Sequence, residues 1–316
     1  MERWGIIYCP KQGIRRTHKR WEHIRELLTE RGVDYDFVQS EGLYSVKRLT
    51  QMLCKNGYTS IVIVGGDSAL NQALNGVIEL GDDIRQQVTI GIIPNGRGND
   101  YAGFWGLEES NDEHSVEALL KRRTRWVDVG VCTLPDMQDK AERKDNNDAH
   151  TTYYFLNCVQ IGLVANIMNL KYKTRRILGF SVLSYLSSMF LMIFQRREWR
   201  MQFAVNETRI DHKVMTVCVG NARGYGLTPS AVPYNGCLDV SVVSHPELTQ
   251  LANGLWMLLT GRFLNHRNVK AHRTERALRF DDIHHAPVGI DGRYIGHVDG
   301  GFEIKLKPEF IQIIIP

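Results

Sequence analysis

Over the first hundred residues, short β-branched runs trade places with stretches of helical spacing. The runs at residues 4–9, 35–38, 61–64 and 88–93 predict strands, the last of them ended by Pro94. Between them Ile24, Leu27 and Leu28 share one face of a predicted helix over 21–31, and residues 45–53 predict another. Ala69, Leu70, Ala73, Leu74 and Val77 line one face of a third. Strands alternating with helices predict a parallel α/β sheet. Ligands of such sheets sit beyond the carboxyl ends of the strands. The loops CPKQG (9–13), GGDS (65–68) and NGRGND (95–100) all lie at those ends and can converge on one crevice.

After Trp126 the pattern changes. Residues 126–133 and 153–159 predict paired strands, joined by a charged stretch, 136–150, expected to be a mobile hairpin loop. Further strand-like runs follow at 200–205, 214–219, 238–243, 279–281, 285–290, 302–306 and 311–315, and suggest a β-sandwich. A long helix is expected within 168–197, and a second apolar segment spans 251–263. The expected domains are therefore 1–126, an α/β domain, and 127–316, a β-sandwich.

Composition narrows the class without choosing a function. With 316 residues the chain can bury two cores, and 43% hydrophobic with 23% charged residues is ordinary for a globular protein. The net charge of +4 suits anionic ligands or an anionic membrane surface, but lacks the clustering that nucleic acid requires. Six scattered cysteines with no Cys-x-x-Cys pair read as buried thiols. A cytoplasmic setting is expected, because no signal peptide precedes the first strand and the thiols suit a reducing compartment. No Gly-Lys dipeptide, Gly-x-Gly-x-x-Gly, His-Glu-x-x-His or Gly-x-Ser-x-Gly occurs, which removes the handles for Walker-A, dinucleotide, zinc peptidase and hydrolase readings.

Four loops carry candidate chemistry. Gly65 and Gly66 break a strand just before a helix, so the helix N-terminus can receive a phosphate; a plain strand–helix turn fits the same residues. In IPNGRGNDYA (93–102), Arg97 between Gly96 and Gly98 can present a planar fork to a phosphate, with Asn99 and Asp100 beside it; an Asn/Gly/Asp turn is the alternative. In the stretch 221–240, Asn235 with nearby carbonyls could face a cation, although Asn235-Gly236 alone also makes a hairpin turn. In GIDGRYIG (289–296), Asp291 occupies a turn after an apolar strand.

Together and in this order the four loops resemble the diacylglycerol kinase catalytic domain family. Its pattern runs Gly-Gly-Asp-Gly-Thr-x-Asn, Pro-x-Gly-Thr-x-Asn-Asp-x-Ala, Asp-Gly-x-Leu-Asp and Asp-Gly-Glu. The chain reads Gly65-Gly66-Asp67-Ser68-Ala69-Leu70-Asn71, then Pro94 to Ala102, then Asn235-Gly236-Cys237-Leu238-Asp239, then Asp291-Gly292-Arg293. Residues 124–128 (TRWVD) resemble the family's Arg-x-x-Asp step at the domain junction, and the likeness covers nearly the whole chain. It implies a Rossmann-like α/β domain followed by a β-sandwich, as in NAD kinases and diacylglycerol kinases. It also implies ATP in the crevice between the domains, held by Cys9, Pro10, Gly13, Gly65, Gly66, Asp67, Ser68, Ala69, Asn71, Gly96, Arg97, Asn99 and Asp100. Mg²⁺, where bound, would sit near Asn235 and the carbonyls of Val232 and Cys237. Asp67, Asp291 and Arg293 would be the catalytic set, with Asp291, or Asp67 through a water, accepting the proton of the substrate hydroxyl.

The chain departs from the family pattern at Cys9, Ser68, Ala69, Arg97, Asn235 and Arg293, where the family has Asn, Gly, Thr, Thr, Asp and Glu. One carboxylate is lost, another gives way to Arg, and Arg97 is gained, so a shared site would be more positive. Two readings follow. Arg97 and Arg293 could supply charge neutralisation in an active lipid kinase, which the six retained acidic and amide positions favour. The alternative is an impaired homologue that binds nucleotide or lipid as a regulator. The segment 168–199, apolar in the middle and basic at both ends, is expected to pack on the sandwich and line an acyl-chain pocket near lipid headgroups. The expected partner is a diacylglycerol-like lipid or a sphingoid base at a peripheral membrane surface. A homodimer stays open.

Overall fold

The computed structural model describes residues 3–10, 16–96, 98–135, 150–169, 197–223, 227–244 and 267–316. The chain divides into two compact units, one formed by Met1–Val129 with Pro308–Pro316 and the other by Gly130–Lys307. It passes between them twice, once inside each of two long strands. The C-terminal residues, grouped by sequence order with the second domain, thus pair inside the first unit.

In the first unit, β1 (Trp4–Tyr8) lies between β2 (Tyr35–Gln39) and β3 (Ser60–Gly65), and β3 pairs with β4 (Thr89–Pro94), all parallel. The end of β16 (Phe302–Ile315) adds a further parallel partner, Gln312 facing Thr89. β1 and β3 are buried along their whole length, which is why they read as unbroken apolar runs, whereas edge strand β2 is half polar. Helix α1 (Arg16–Glu30) places Trp21, Ile24, Leu27 and Leu28 against Trp4, Ile6, Tyr8, Val62 and Val64, and Trp21 stacks on Tyr8 at 4.7 Å. The helix starts before the predicted residue 21 because its first turn is polar and carries no apolar period. Helices α2 (Leu43–Lys55) and α3 (Asp67–Ile78) approach so closely that a Cβ on Gly76 would lie 2.9 Å from the Lys47 carbonyl. Three short helices had no apolar signature strong enough to predict: α4 (Asp82–Gln87), α5 (Asp100–Phe104) and α6 (Asp112–Lys121).

The second unit contains two antiparallel layers. One is a six-stranded sheet in the order β12 (Val269–Thr274), β11 (Leu238–Val243), β10 (Thr216–Gly220), β7 (Cys158–Gly162), β14 (Ala286–Ile290) and β15 (Arg293–Val298). The other brings together β13 (Leu278–Asp282), β8 (Trp199–Val205), β9 (Thr208–Val214) and the first half of β16. Alternate residues fill the space between the layers. Val159, Ile161, Val217, Val219, Leu238 and Val240 meet Met201, Phe203, Leu278, Phe280 and Ile304 in one core. Phe203, Phe280 and Phe302 stack through it at 4.6 and 4.5 Å. The α/β unit followed by an antiparallel sandwich is the architecture the sequence implied.

β5 (Arg123–Pro135) pairs with β6 (His150–Phe155), Cys132 facing Tyr153, as the pattern predicts. The expected strand over 153–159 is instead divided at Leu156 and Asn157, where the chain turns from β6 into β7. The expected strands at 302–306 and 311–315 are one, β16, continuing through Pro308. Glu309 has φ +46° there, and its N–H donates to Asp128 at 2.9 Å. The carboxylate of the junction motif thus holds the irregular residue of the last strand. Strands β9, β12 and β15 went unpredicted because exposed polar residues break their alternation. Of the predicted loop at 136–150, residue His150 already belongs to β6 and the rest lies outside the described residues, as do 170–196 of the expected long helix and the apolar segment at 251–263.

Candidate functional site

At the carboxyl ends of the parallel strands the three predicted loops adjoin. Asn95, just past β4, donates its backbone N–H to the Gly65 carbonyl at 2.7 Å and its side-chain amide to the Cys9 carbonyl at 3.1 Å. Cys9 donates its own N–H to Val64 at 2.9 Å. Burial pushes the Cys9 thiol up to about 11, so it sits here as a neutral packing group.

The two glycine loops touch backbone to backbone. A Cβ on Gly66 would meet the Gly96 Cα at 2.7 Å, and one on Gly96 would meet the Gly66 Cα and the Asn99 Oδ1 at 2.5 Å each. Glycine is needed at both positions so that the loops can lie on one another. Asn99 takes a left-handed φ of 57° and closes the second loop: its Oδ1 accepts the Gly96 N–H at 2.7 Å and its amide reaches Glu109 at 3.3 Å. Gly66 opens α3 with no side-chain cap, which leaves the helix N-terminus suited to an anion.

Asp67 occupies the first position of α3, yet its carboxylate is turned to the start of α5. It accepts the N–H of Asp100 at 3.1 Å and of Tyr101 at 3.0 Å, and is 6% exposed. Asp67 therefore locks the second loop against the first. Asp100 lies beside it with a buried Oδ2 that accepts no hydrogen bond. Burial, then the neighbouring Asp67 charge, raises its carboxyl to about 7. Asn71, one turn into α3, is buried and receives the Asn75 amide at its carbonyl, 2.8 Å away.

One side chain that the sequence did not single out organises these loops. Arg20 of α1 binds Asp112 through both Nε and Nη2, lies 3.6 Å from Glu109, and donates to the Asn95 side-chain oxygen at 3.0 Å. It sits at the end of a basic segment whose composition gave no sign of this role. Arg97 and Gly13 lie outside the described residues.

In the second unit Asp291 is 1% exposed, and its two oxygens accept three backbone N–H groups: Leu156 at 2.8 Å, Asn157 at 2.9 Å and Cys158 at 2.9 Å. Those donors belong to the β6–β7 turn. Asp291 and Gly292 have φ of 43° and 77° and form the two-residue connection of the β14–β15 hairpin, which Arg293 leaves half-buried. The buried amide of Asn221 donates to the Leu156 carbonyl at 2.9 Å and fixes the same turn.

The candidate metal residues form a turn of their own. The Asn235 side-chain oxygen accepts the Cys237 N–H at 3.0 Å, and the Val232 carbonyl accepts the Tyr234 N–H at 2.8 Å. Both oxygens thus accept local hydrogen bonds that shape the turn. Among the described residues no three His, Cys, Asp or Glu side chains converge on a metal position.

Residues 3–132 match the diacylglycerol kinase catalytic domain, and residues 157–315 match the YegS C-terminal NAD kinase beta sandwich-like domain. The chain belongs to the diacylglycerol kinase catalytic domain family. It is 27% identical over 277 residues to a Chromohalobacter salexigens protein named "Probable lipid kinase YegS-like", covering 85% of this chain and 80% of that one. It is 19% identical over 321 residues to the Bacillus subtilis protein named "Diacylglycerol kinase", covering 100% and 97%. The fold matches the crystal structure of a diacylglycerol kinase from Bacillus anthracis str. Sterne with a TM-score of 0.66 at 16% identity, covering 100% of this chain and 97% of that one. Membership makes this a lipid kinase homologue. Among the described residues no helix is long and apolar enough to cross a membrane.

Proposed function

We propose that the chain is an ATP-dependent lipid kinase that phosphorylates the hydroxyl of a diacylglycerol-like lipid or a sphingoid base at a membrane surface. The observation that supports this most directly is the pair of glycine loops held face to face beside the uncapped N-terminus of α3. Backbone N–H groups and the helix dipole favour the phosphates of a nucleotide there. Phosphoryl transfer depends mainly on positioning and charge stabilisation, and a rigid loop pair supplies positioning. In this reading Asp67 shapes the loops rather than taking a proton, because both its oxygens already accept backbone N–H groups. Asp291 likewise holds the hairpin turn that precedes Arg293, and Arg293 contributes positive charge.

Where Mg²⁺ is bound, Asp100 would help to hold it, since its buried Oδ2 accepts no hydrogen bond and suits a hard cation. When bound, it would neutralise charge on the phosphates.

The test is phosphate transfer from labelled ATP into a lipid extract by the purified protein, with Asp67→Asn expected to lower the rate at least tenfold. No labelled lipid under any metal condition would overturn the enzyme reading. Nucleotide binding without turnover, raised to turnover by Asn235→Asp with Arg293→Glu, would instead assign the chain to the impaired class.

A further inference from the structure

A cavity of about 300 Å³ opens at one end of the β11–β12 pair, lined by Ser244, Arg267, Asn268 and Lys270. Ser244 immediately follows β11, and Arg267 and Asn268 immediately precede β12. The Ser244 N–H donates to the Asn268 carbonyl at 2.9 Å, one rung beyond the register that sets Val243 opposite Val269 and Val242 opposite Lys270. That last rung holds the lining residues on a fixed frame. Strand alternation explains why they share a face. Val242 belongs to the core between the layers, whereas Val243 and Val269 pack in a separate cluster with Cys158 and Cys218. Ser244, Asn268 and Lys270 therefore lie on the same side as Val242. The lining is chemically one-sided: two cations, a hydroxyl and an amide, with no carboxylate among the described lining residues. Lys270 is exposed and has no ion-pair partner among the described residues. Its charge is felt two residues along the same face, where burial first, and then Lys270, hold the His272 imidazole below the usual histidine range. Arg273, the next cation of β12, lies on the opposite face and is bound to Asp239 at 2.6 Å.

We propose that Ser244, Arg267, Asn268 and Lys270 form a binding site for a phosphate group, carried either by an anionic lipid headgroup or by free phosphate. An Arg fork and a Lys point charge complement phosphate oxygens, and the Ser hydroxyl and Asn amide can each donate to the same group. The cavity is at the small end of the range for ligand sites, so it suits a headgroup or inorganic phosphate rather than a whole lipid. The site is built wholly within the second unit and does not depend on the kinase reading.

The experiment is a sodium phosphate titration of the full, isotope-labelled chain, followed by the backbone amide NMR signals of Ser244, Asn268 and Lys270, with sodium chloride holding the ionic strength constant. Site-specific signals separate this cavity from any phosphate taken by the glycine loops. Saturable shifts at these residues are expected. Lys270→Ala and Arg267→Ala should each weaken the binding about tenfold, and Lys270→Arg should keep most of it. Cosedimentation with vesicles of phosphatidylglycerol and phosphatidylcholine, against phosphatidylcholine alone, then identifies the source. Loss of phosphatidylglycerol-dependent binding in Lys270→Ala assigns the site to a headgroup. Vesicle binding that does not distinguish Lys270→Ala from wild type, with the phosphate shifts intact in wild type, assigns it to free phosphate. Absence of saturable shifts, or shifts of equal affinity in both alanine variants, would overturn the proposal.

Discussion

Asp100→Asn isolates the electrostatic cost built into the paired loops. Asp100 is buried beside Asp67, its Oδ2 accepts no hydrogen bond, and its carboxyl is raised from 3.8 to about 7. The sign follows from proton binding. Above pH 4 the unfolded chain has released this proton while the folded chain retains it, so the stability it contributes fades as pH rises toward 7. At about 1.4 kcal/mol per pH unit the ceiling is roughly 4 kcal/mol, and partial exposure and relaxation reduce the working figure to about 2 kcal/mol. An amide removes the charge and keeps the shape, and the backbone N–H that Asp67 accepts is retained. The asparagine variant should therefore be more stable than wild type by about 2 kcal/mol at pH 8 and nearly equal to it at pH 4.5. Urea unfolding in EDTA across that range measures the difference. A difference that does not change with pH, or an asparagine variant less stable at pH 8, would refute the argument. If Asp100 meets a cation as proposed, catalysis should move the other way, because the same variant removes that carboxylate.

Other perturbations test the remaining supports. Arg20→Ala strips Asp112, Glu109 and Asn95 of a shared partner and should cost about 2–4 kcal/mol in thermal or urea unfolding, while Arg20→Lys, which cannot grip Asp112 with two nitrogens, should recover only part. Gly66→Ala places a methyl 2.7 Å from the Gly96 Cα and should cost about 1–3 kcal/mol with loss of nucleotide binding. Gly103→Ala, in α5 with nothing within 4 Å of the new Cβ, should be neutral or stabilising by up to about 1 kcal/mol in the same assay. Cys9, its thiol raised to about 11, should resist a thiol reagent at pH 7.5 in the folded protein and react once unfolded.

The alternation of β-branched runs with amphipathic helices made the first unit legible, because strands buried on both faces leave unbroken apolar stretches such as Ile61–Val64. Edge strands such as β9, with polar side chains on both sides, leave no such trace. Glycine positions pointed correctly to the loops but for an incomplete reason: Gly66 and Gly96 make room for each other. Asp67 and Asp291 stood out by motif, yet what they hold is backbone distant in sequence, which no spacing rule reveals. Arg20 was invisible because its partners at Asn95, Glu109 and Asp112 are brought to it only by folding.

The return of β16 to the first unit bears on how the chain is made. A ribosome would release β1 to β4 long before Gln312 and Ile313, which lie alongside Thr89 and Ile90. Until then β4 presents an unpaired edge of apolar parallel strand, the kind of surface that invites wrong partners. Folding of the amino-terminal half is thus expected to finish last, after the unit inserted within it. Loss of the final few residues would damage the first unit rather than the one that precedes them in the sequence.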